Sequence, residues 1–272
     1  VPGITTATSI ALGQLHSCAL LTGGAIKCWG SNYEGRLGDG NFESSNAPVD
    51  VRDITTATSI AVGRAHSCAL LTGGTIKCWG ANEHRQLGDG TVTQRNTPVD
   101  AHDITTATSI AAGGDHSCAL LTGGTIKCWG RNRDRQLGDG DDIASLNPVD
   151  VPGITTATSV AAGGHHSCAL LTGGAIKCWG GDSEGQRGDG TTFSTNPPVD
   201  VSGITTATSI AAGEYHSCAL LTSGAIKCWG SNYWGEIGDG TNTNPHYTPV
   251  DVSGSPCDAS AAPTNGGAGD CT

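Results

Sequence analysis

The fifteen residues His16 to Gly30, HSCALLTGGAIKCWG, return at 66, 116, 166 and 216 with no more than two letters altered. Self-comparison sets the period at 50 residues as far as about Ser253, with one extra residue in the loop Thr241 to Tyr247. A unit of this length cannot bury both of its faces alone, so the chain must stack its copies. Each copy holds four short runs of β character, as in Pro48–Val51, Ala57–Ala61, His66–Leu71 and Thr75–Trp79, with Gly-rich turns between them and no helical period. Small four-stranded sheets repeated at this spacing predict an all-β fold, a β-propeller of five four-stranded blades. The five-repeat body covers 1–252, in repeats of about 1–47, 48–97, 98–147, 148–197 and 198–252, and 253–272 forms a Gly/Ala/Pro-rich tail.

Ten of the twelve cysteines fall inside this repeat as Cys18/Cys28, Cys68/Cys78, Cys118/Cys128, Cys168/Cys178 and Cys218/Cys228, always with nine residues between them; Cys257 and Cys271 stand in the tail. A three-residue loop at Thr22-Gly23-Gly24 pairs Leu21 with Ala25, Leu20 with Ile26 and Cys18 with Cys28, which sets two sulfurs face to face across a hairpin. A cystine stapling each hairpin, and a sixth joining Cys257 to Cys271, is the favoured reading. The other reading, a thiolate metal site of His16, Cys18 and Cys28, lacks the short spacing that zinc favours. Closing an eleven-residue loop is worth roughly 2–3 kcal/mol per bridge in the chain-entropy model. Such bridges imply an oxidising compartment.

The pattern Ala111-Ala112-Gly113-Gly114-x-His116-Ser-x-Ala-Leu, then Gly124-x-Ile126-Lys-x-Trp129-Gly130-x-Asn132 and Gln136-Leu137-Gly138-Asp139-Gly140, resembles the repeat of the regulator of chromosome condensation family. The resemblance extends over all five units. It implies a β-propeller, usually of seven blades, and secreted bacterial members similar to β-lactamase inhibitory protein II use the loops of this fold to grip another protein. This chain differs in having five units and a pair of cysteines in each. Sheets angled for seven blades leave a gap when five are present.

The chain ends bear on that gap. The first unit lacks the Pro-Val-Asp that opens the others, whereas Pro249-Val250-Asp251-Val252 stands as an extra copy after unit five. Either this segment returns to complete the first blade and close a ring, or it completes the first blade of another copy and builds a filament head to tail.

Function is expected where the units differ. The variable stretches lie just before each repeated histidine and just after each Trp-Gly, on loops of a rigid frame. Candidate binding residues are Tyr33, Glu34, His84, Arg85, Arg133, Asp134, Asp182, Glu184, Tyr215, Tyr233 and Trp234, among which the aromatic residues have the composition of interface anchors. The repeated histidines (16, 66, 116, 166, 216) and tryptophans (29, 79, 129, 179, 229) read as structural, each histidine tying its turn by a hydrogen bond. The Gly-Asp-Gly segments lack the ligand spacing of a calcium loop, and Asp139, Asp141 and Asp142 alone cluster enough to raise the question. No metal or cofactor is expected.

The chain is 272 residues long, 36% hydrophobic and 14% charged, with a net charge of −11. That charge argues against nucleic acid, and apolar runs of four residues argue against membrane insertion. A chain that begins at Val1 and contains no Met is expected to have lost a signal segment, consistent with an extracellular protein. No nucleophile elbow, phosphate loop or zinc-protease motif is present. The sequence thus points to a secreted, non-catalytic β-propeller that recognises a protein or glycan through its variable loops. The alternative is a structural subunit of an extracellular filament assembled from copies of itself by strand or tail exchange, and an enzyme is the weakest of the three.

Overall fold

The computed structural model describes residues 1, 3–193 and 195–254. Blade 1 is the antiparallel meander β1 (Ala7–Leu12), β2 (His16–Leu21), β3 (Ile26–Gly30) and β4 (Ser45–Asp50). Blade 2 follows with β5 (Ala57–Val62), β6 (His66–Leu71), β7 (Ile76–Gly80) and β8 (Arg95–Asp100), and blade 3 with β9 (Ala107–Ala112), β10 (His116–Leu121), β11 (Ile126–Gly130) and β12 (Ser145–Asp150). Blade 4 comprises β13 (Ala157–Ala162), β14 (His166–Leu171), β15 (Ile176–Gly180) and β16 (Thr195–Asp200); blade 5 comprises β17 (Ala207–Ala212), β18 (His216–Leu221), β19 (Ile226–Gly230) and β20 (His246–Asp251).

The central hairpin has the predicted register. Gly23 and Gly24 take φ of 93° and 87°, a turn open to residues without a Cβ. The Leu21 N–H donates to the Ala25 carbonyl at 2.8 Å, so Leu20 lies opposite Ile26 and Cys18 opposite Cys28. All five hairpins carry a cystine, Cys18–Cys28, Cys68–Cys78, Cys118–Cys128, Cys168–Cys178 and Cys218–Cys228, each with a Cα–Cα distance of 4.1 Å. The Cys257–Cys271 pair and most of the tail lie outside the described residues. On the outer edge, Lys27 faces Asp50 across β3 and β4 in an ion pair of 2.6 Å, and the same pair recurs in every blade. Pairs this exposed contribute at most about 1 kcal/mol each, but they mark one register throughout.

The phase of the repeat differs from the sequence reading. Pro-Val-Asp does not open a unit; it ends one. Cys28 faces Val49 and Lys27 faces Asp50 within blade 1, and Cys228 faces Val250 and Lys227 faces Asp251 within blade 5. Blade 1 therefore has all four strands, and Pro249, Val250 and Asp251 complete the fifth blade's own sheet, with Val252 just beyond it. Neither strand closure of a ring nor strand exchange with another copy is left to these residues. Their strand is already paired with the neighbouring β19, which the spacing of one segment relative to the rest could not reveal.

The core lies between blades. Leu20, Ile26, Leu37 and the Cys18–Cys28 cystine pack against Ile54, Ala57, Ile60, Ala69 and Trp79 of blade 2, and equivalent layers join blades 2 to 3, 3 to 4 and 4 to 5. Cys68 and Cys78 occupy the second of these layers and Cys168 and Cys178 the fourth, all four without exposed surface. Each buried Leu or Ile in such a layer contributes about 1.5–3 kcal/mol relative to exposure. Polar bonds repeat along the same interfaces. Trp79 Nε1 donates to the Arg36 carbonyl at 3.0 Å, Ser67 Oγ donates to the same carbonyl, and His16 Nε2 donates to Ser67 Oγ at 2.9 Å. The innermost turns stack closely: a Cβ on Gly63 would lie 2.4 Å from the Gly113 carbonyl oxygen, so this position admits only glycine. The inner turns of all five blades converge on one axial cavity of about 310 Å³.

Candidate functional site

In an antiparallel meander the first and third connections leave the sheet at one end and the second leaves at the other. The turns before each histidine and the loops after each Trp-Gly are the first and third connections, so all the variable stretches emerge on one face of the propeller. The nearly invariant Thr-Gly-Gly turns form the opposite face. Their uniformity and the variability of the loop face follow from one topological fact.

A continuous chain of polar contacts crosses that face from blade 2 to blade 5. Arg64 Nη2 reaches both oxygens of the buried Asp115 at 2.7 and 2.6 Å. Asp115 also faces Arg131 Nη1 at 3.4 Å and His84 Nε2 at 3.8 Å. Arg131 leans on Asp134 at 3.8 Å, and Asp134 accepts a hydrogen bond from His165 Nδ1 at 2.9 Å. The other ring nitrogen of His165 accepts from the Tyr215 hydroxyl at 3.2 Å, with the two rings stacked at 5.2 Å. Arg131, Arg133, Asp134, His165 and Tyr215 line a depression of about 400 Å³. Arg133 is exposed at its rim.

The predicted site residues divide unequally. Arg133, Asp134 and Tyr215 meet at the depression. Tyr33, Tyr233 and Trp234 stand exposed farther along the same face, the last two edge to face at 4.8 Å. His84 joins the Asp115 cluster. Glu34 is turned back onto Arg36 at 3.0 Å, and Arg85 donates to the Ala144 carbonyl of the next blade, so both support loops. Glu184 donates its backbone N–H to Gln186 Oε1. The hairpin cysteines, Cys78 and Cys178 among them, are spent in cystines within the blades and take no part in the loop face.

Asp182 is a correction. It was expected at an exposed loop tip, but its side chain is 0% exposed and ion-paired with Arg187. In the other blades an Asn holds this position and its Oδ1 accepts the N–H of the residue five further on, as Asn132 does from Leu137 at 3.0 Å. Asp182 accepts from the Arg187 N–H in the same way.

Arg64, Asp115, Arg131 and His165 were not singled out as site residues. All four lie in the variable stretches, and what joins them is packing between neighbouring blades. The Asp139 and Asp141 carboxylates each accept from Asn132 Nδ2, at 3.0 and 3.2 Å, which puts an amide donor where a calcium reading needed a cation. Among the described residues no three His, Cys, Asp or Glu side chains are grouped to hold a metal. Burial depresses the repeated histidines, His66 to about 4 and His16, His116 and His166 to about 3, so these imidazoles are neutral interface groups.

A fan of meander blades around an axial cavity, with the loops before each histidine and after each Trp-Gly on one face, defines a β-propeller. The chain belongs to the RCC1-like domain family, whose model matches residues 2–270. It is similar to yeast RCC1 (Prp20), solved bound to Kap60, at 23% identity and a TM-score of 0.80 over 91% of this chain and 64% of that one. Prp20p of Saccharomyces cerevisiae, whose structure was described with its binding to Gsp1p and histones, matches at 24% identity and 0.79 over 90% and 63%. Human WBSCR16 matches at 22% identity and 0.80 over 93% and 69%. The chain spans just under two thirds of the length of the two yeast structures. No curated protein sequence matches it.

Proposed function

We propose that this chain is a non-catalytic recognition module that binds a protein partner through its loop face in an extracellular setting. The observation that carries this reading is the cluster of variable residues on the loop face, where Arg131, Arg133, Asp134, His165 and Tyr215 surround a depression and Tyr33, Tyr233 and Trp234 stand out as exposed anchors. Five of the nine arginines, Arg64, Arg85, Arg131, Arg133 and Arg135, lie in the loops of blades 2 and 3. The same loops hold Glu83, Asp89, Asp115, Asp134, Asp139, Asp141 and Asp142, so this part of the face presents charges of both signs, which favours a partner with a complementary mixed pattern. The extracellular assignment is supported by the five cystines. Absence of catalysis is supported by the use of the repeated histidines in blade-to-blade bonds.

The test is capture of partners from the surroundings of the native protein, comparing the wild type with Arg133→Glu, with the pair Tyr233→Ala/Trp234→Ala, and with Thr55→Lys on the opposite face. The loop-face variants should lose the captured protein and Thr55→Lys should keep it. Loss with Thr55→Lys alone would place recognition on the other face, and loss after periodate treatment of the partner would make the ligand a glycan.

A further inference from the structure

Beside the depression at Arg131 and Arg133, the loop face holds a second hollow, of about 230 Å³, between blades 4 and 5. Its walls are Glu184 from the blade 4 loop, Tyr215 from the turn before β18, and Ser231, Tyr233 and Asn244 from the blade 5 loop. Tyr215 divides the two hollows, since it lines both. Its ring stacks on His165 at 5.2 Å and its hydroxyl bonds to the same imidazole, so this wall is fixed without a ligand. Tyr233 is braced by Trp234, edge to face at 4.8 Å.

The charge in and around this hollow is of one sign. The Glu184 carboxylate is half-buried and has no ion pair or hydrogen bond among the described residues, because its loop bond is made by the backbone N–H. A second carboxylate, Glu236, stands behind Ser231 and accepts from the Ser231 hydroxyl at 3.4 Å and from the Trp234 N–H at 2.7 Å, both neutral donors. The Asn244 side-chain oxygen is taken by the Asn232 N–H at 2.6 Å. From Gly180 to Asp251 the sequence holds one arginine and one lysine. Arg187 is buried against Asp182, and Lys227 is paired with Asp251 on the outer edge of the blade. His246 is paired with Asp239, and burial depresses His216. Two tyrosine rings and a carboxylate thus meet with no cation between them.

We propose that this hollow receives the cationic head of a lysine or arginine side chain presented by the protein partner. The inference rests on the recognition reading above and adds the chemistry that the partner must show at this end of the face. A cation is attracted both to the ring faces of Tyr215 and Tyr233 and to the Glu184 carboxylate, and it brings no acceptor that needs a donor. A sugar ring can stack on the same tyrosines but leaves the Glu184 charge unpaired. Size points the same way: about 230 Å³ falls below the roughly 300–1,000 Å³ of a small-molecule pocket, which suits one side chain.

The test titrates the isotope-labelled full chain with N-acetyl-arginine amide and N-acetyl-lysine amide, with their neutral analogues N-acetyl-citrulline amide and N-acetyl-norleucine amide, and with methyl glucoside. The amides of Tyr215, Ser231 and Tyr233 are followed by NMR. At least one of the two cations should move these signals with a dissociation constant on the order of 1–10 mM, the range open to so small a group, and the neutral compounds should not. Glu184→Gln should weaken that binding about five-fold or more, and Tyr233→Leu about three- to five-fold, while Tyr233→Phe stays near wild type. Neutral analogues that bind as well as the cations, an unchanged affinity in Glu184→Gln, shifts with methyl glucoside alone, or no shift at all overturns the inference. Partner capture separates its failure from that of the recognition reading. Capture lost in Arg133→Glu but kept in Glu184→Gln and Tyr233→Leu leaves the recognition reading standing and overturns the cation site, whereas capture kept in every loop-face variant overturns the recognition reading and this inference with it.

Discussion

Asp182 and Arg187 form an ion pair of 3.0 Å with neither side chain exposed to solvent, at the position where the other four blades place an Asn and a Leu or Ile. The two departures from the repeat compensate one another. Burial pushes the Asp182 carboxyl above its usual range, and Arg187, through its backbone N–H and its charge, pulls it back. Removing one partner leaves the other charge buried alone, which typically costs about 3–5 kcal/mol. Arg187→Leu should therefore destabilise the protein by that amount, and Asp182→Asn/Arg187→Leu, which restores the pattern of the other blades, should return to within about 1 kcal/mol of wild type. Denaturant titration of the three variants measures this, and additive losses in the pair would refute the coupling.

Acid should unfold the chain through its buried histidines. The unfolded chain protonates each imidazole near 6.5, but the folded chain holds His66 at about 4 and His16, His116 and His166 at about 3. Below pH 6.5 the unfolded state binds more protons, so stability falls as pH falls, by about 1.4 kcal/mol per histidine for each unit. Four such groups offset the roughly 5–15 kcal/mol typical of a domain within about one to three units. Tryptophan fluorescence followed from pH 7 to pH 3 should show cooperative unfolding in that window; a chain still folded at about pH 3.5 would contradict the burial of these rings.

The five cystines should differ in worth although their loops are the same length. Each closes an eleven-residue loop, for about 2–3 kcal/mol. Cys118 and Cys128 also pack in the layer between blades 3 and 4, as Cys68 and Cys78 do between blades 2 and 3 and Cys168 and Cys178 between blades 4 and 5. The Cys218–Cys228 cystine belongs to the blade that has no successor among the described residues. Cys118→Ala/Cys128→Ala should thus lower Tm more than Cys218→Ala/Cys228→Ala. Equal losses would mean that loop closure alone accounts for the bridges. Alkylation of the unreduced, denatured protein should leave these ten cysteines unlabelled.

Deleting residues 246–254 removes β20 and exposes the edge of β19. Amide exchange should rise in blade 5 and remain at its wild-type level in blade 1. The opposite pattern, faster exchange in β1 to β3, would revive a terminal strand that serves the first blade.

Much of the fold was legible in the residues because the repeat states its local rules five times over. The Thr-Gly-Gly turn sets the hairpin register, and that register makes cystines of Cys18 and Cys28 and their equivalents. The limits of a blade were not legible. Pro-Val-Asp can pair with the strand before it or begin the sheet after it, and only the hydrogen bonds between β3 and β4 choose. The loop face was half visible: variation marked Arg133, Asp134 and Tyr215, but the same signal pointed to Asp182, whose burial depends on Arg187.

Local turn chemistry, strand alternation and cysteine spacing act within one unit, where residues near in sequence are near in space, and for that reason the sequence by itself determined the central hairpin, its cystine and the stacking of its copies. Joining Arg64 to Asp115, or His165 to Tyr215, requires contacts about fifty residues apart across a blade interface. Those contacts arise from the shape of side chains in the layers between blades, and only the tertiary structure decided them.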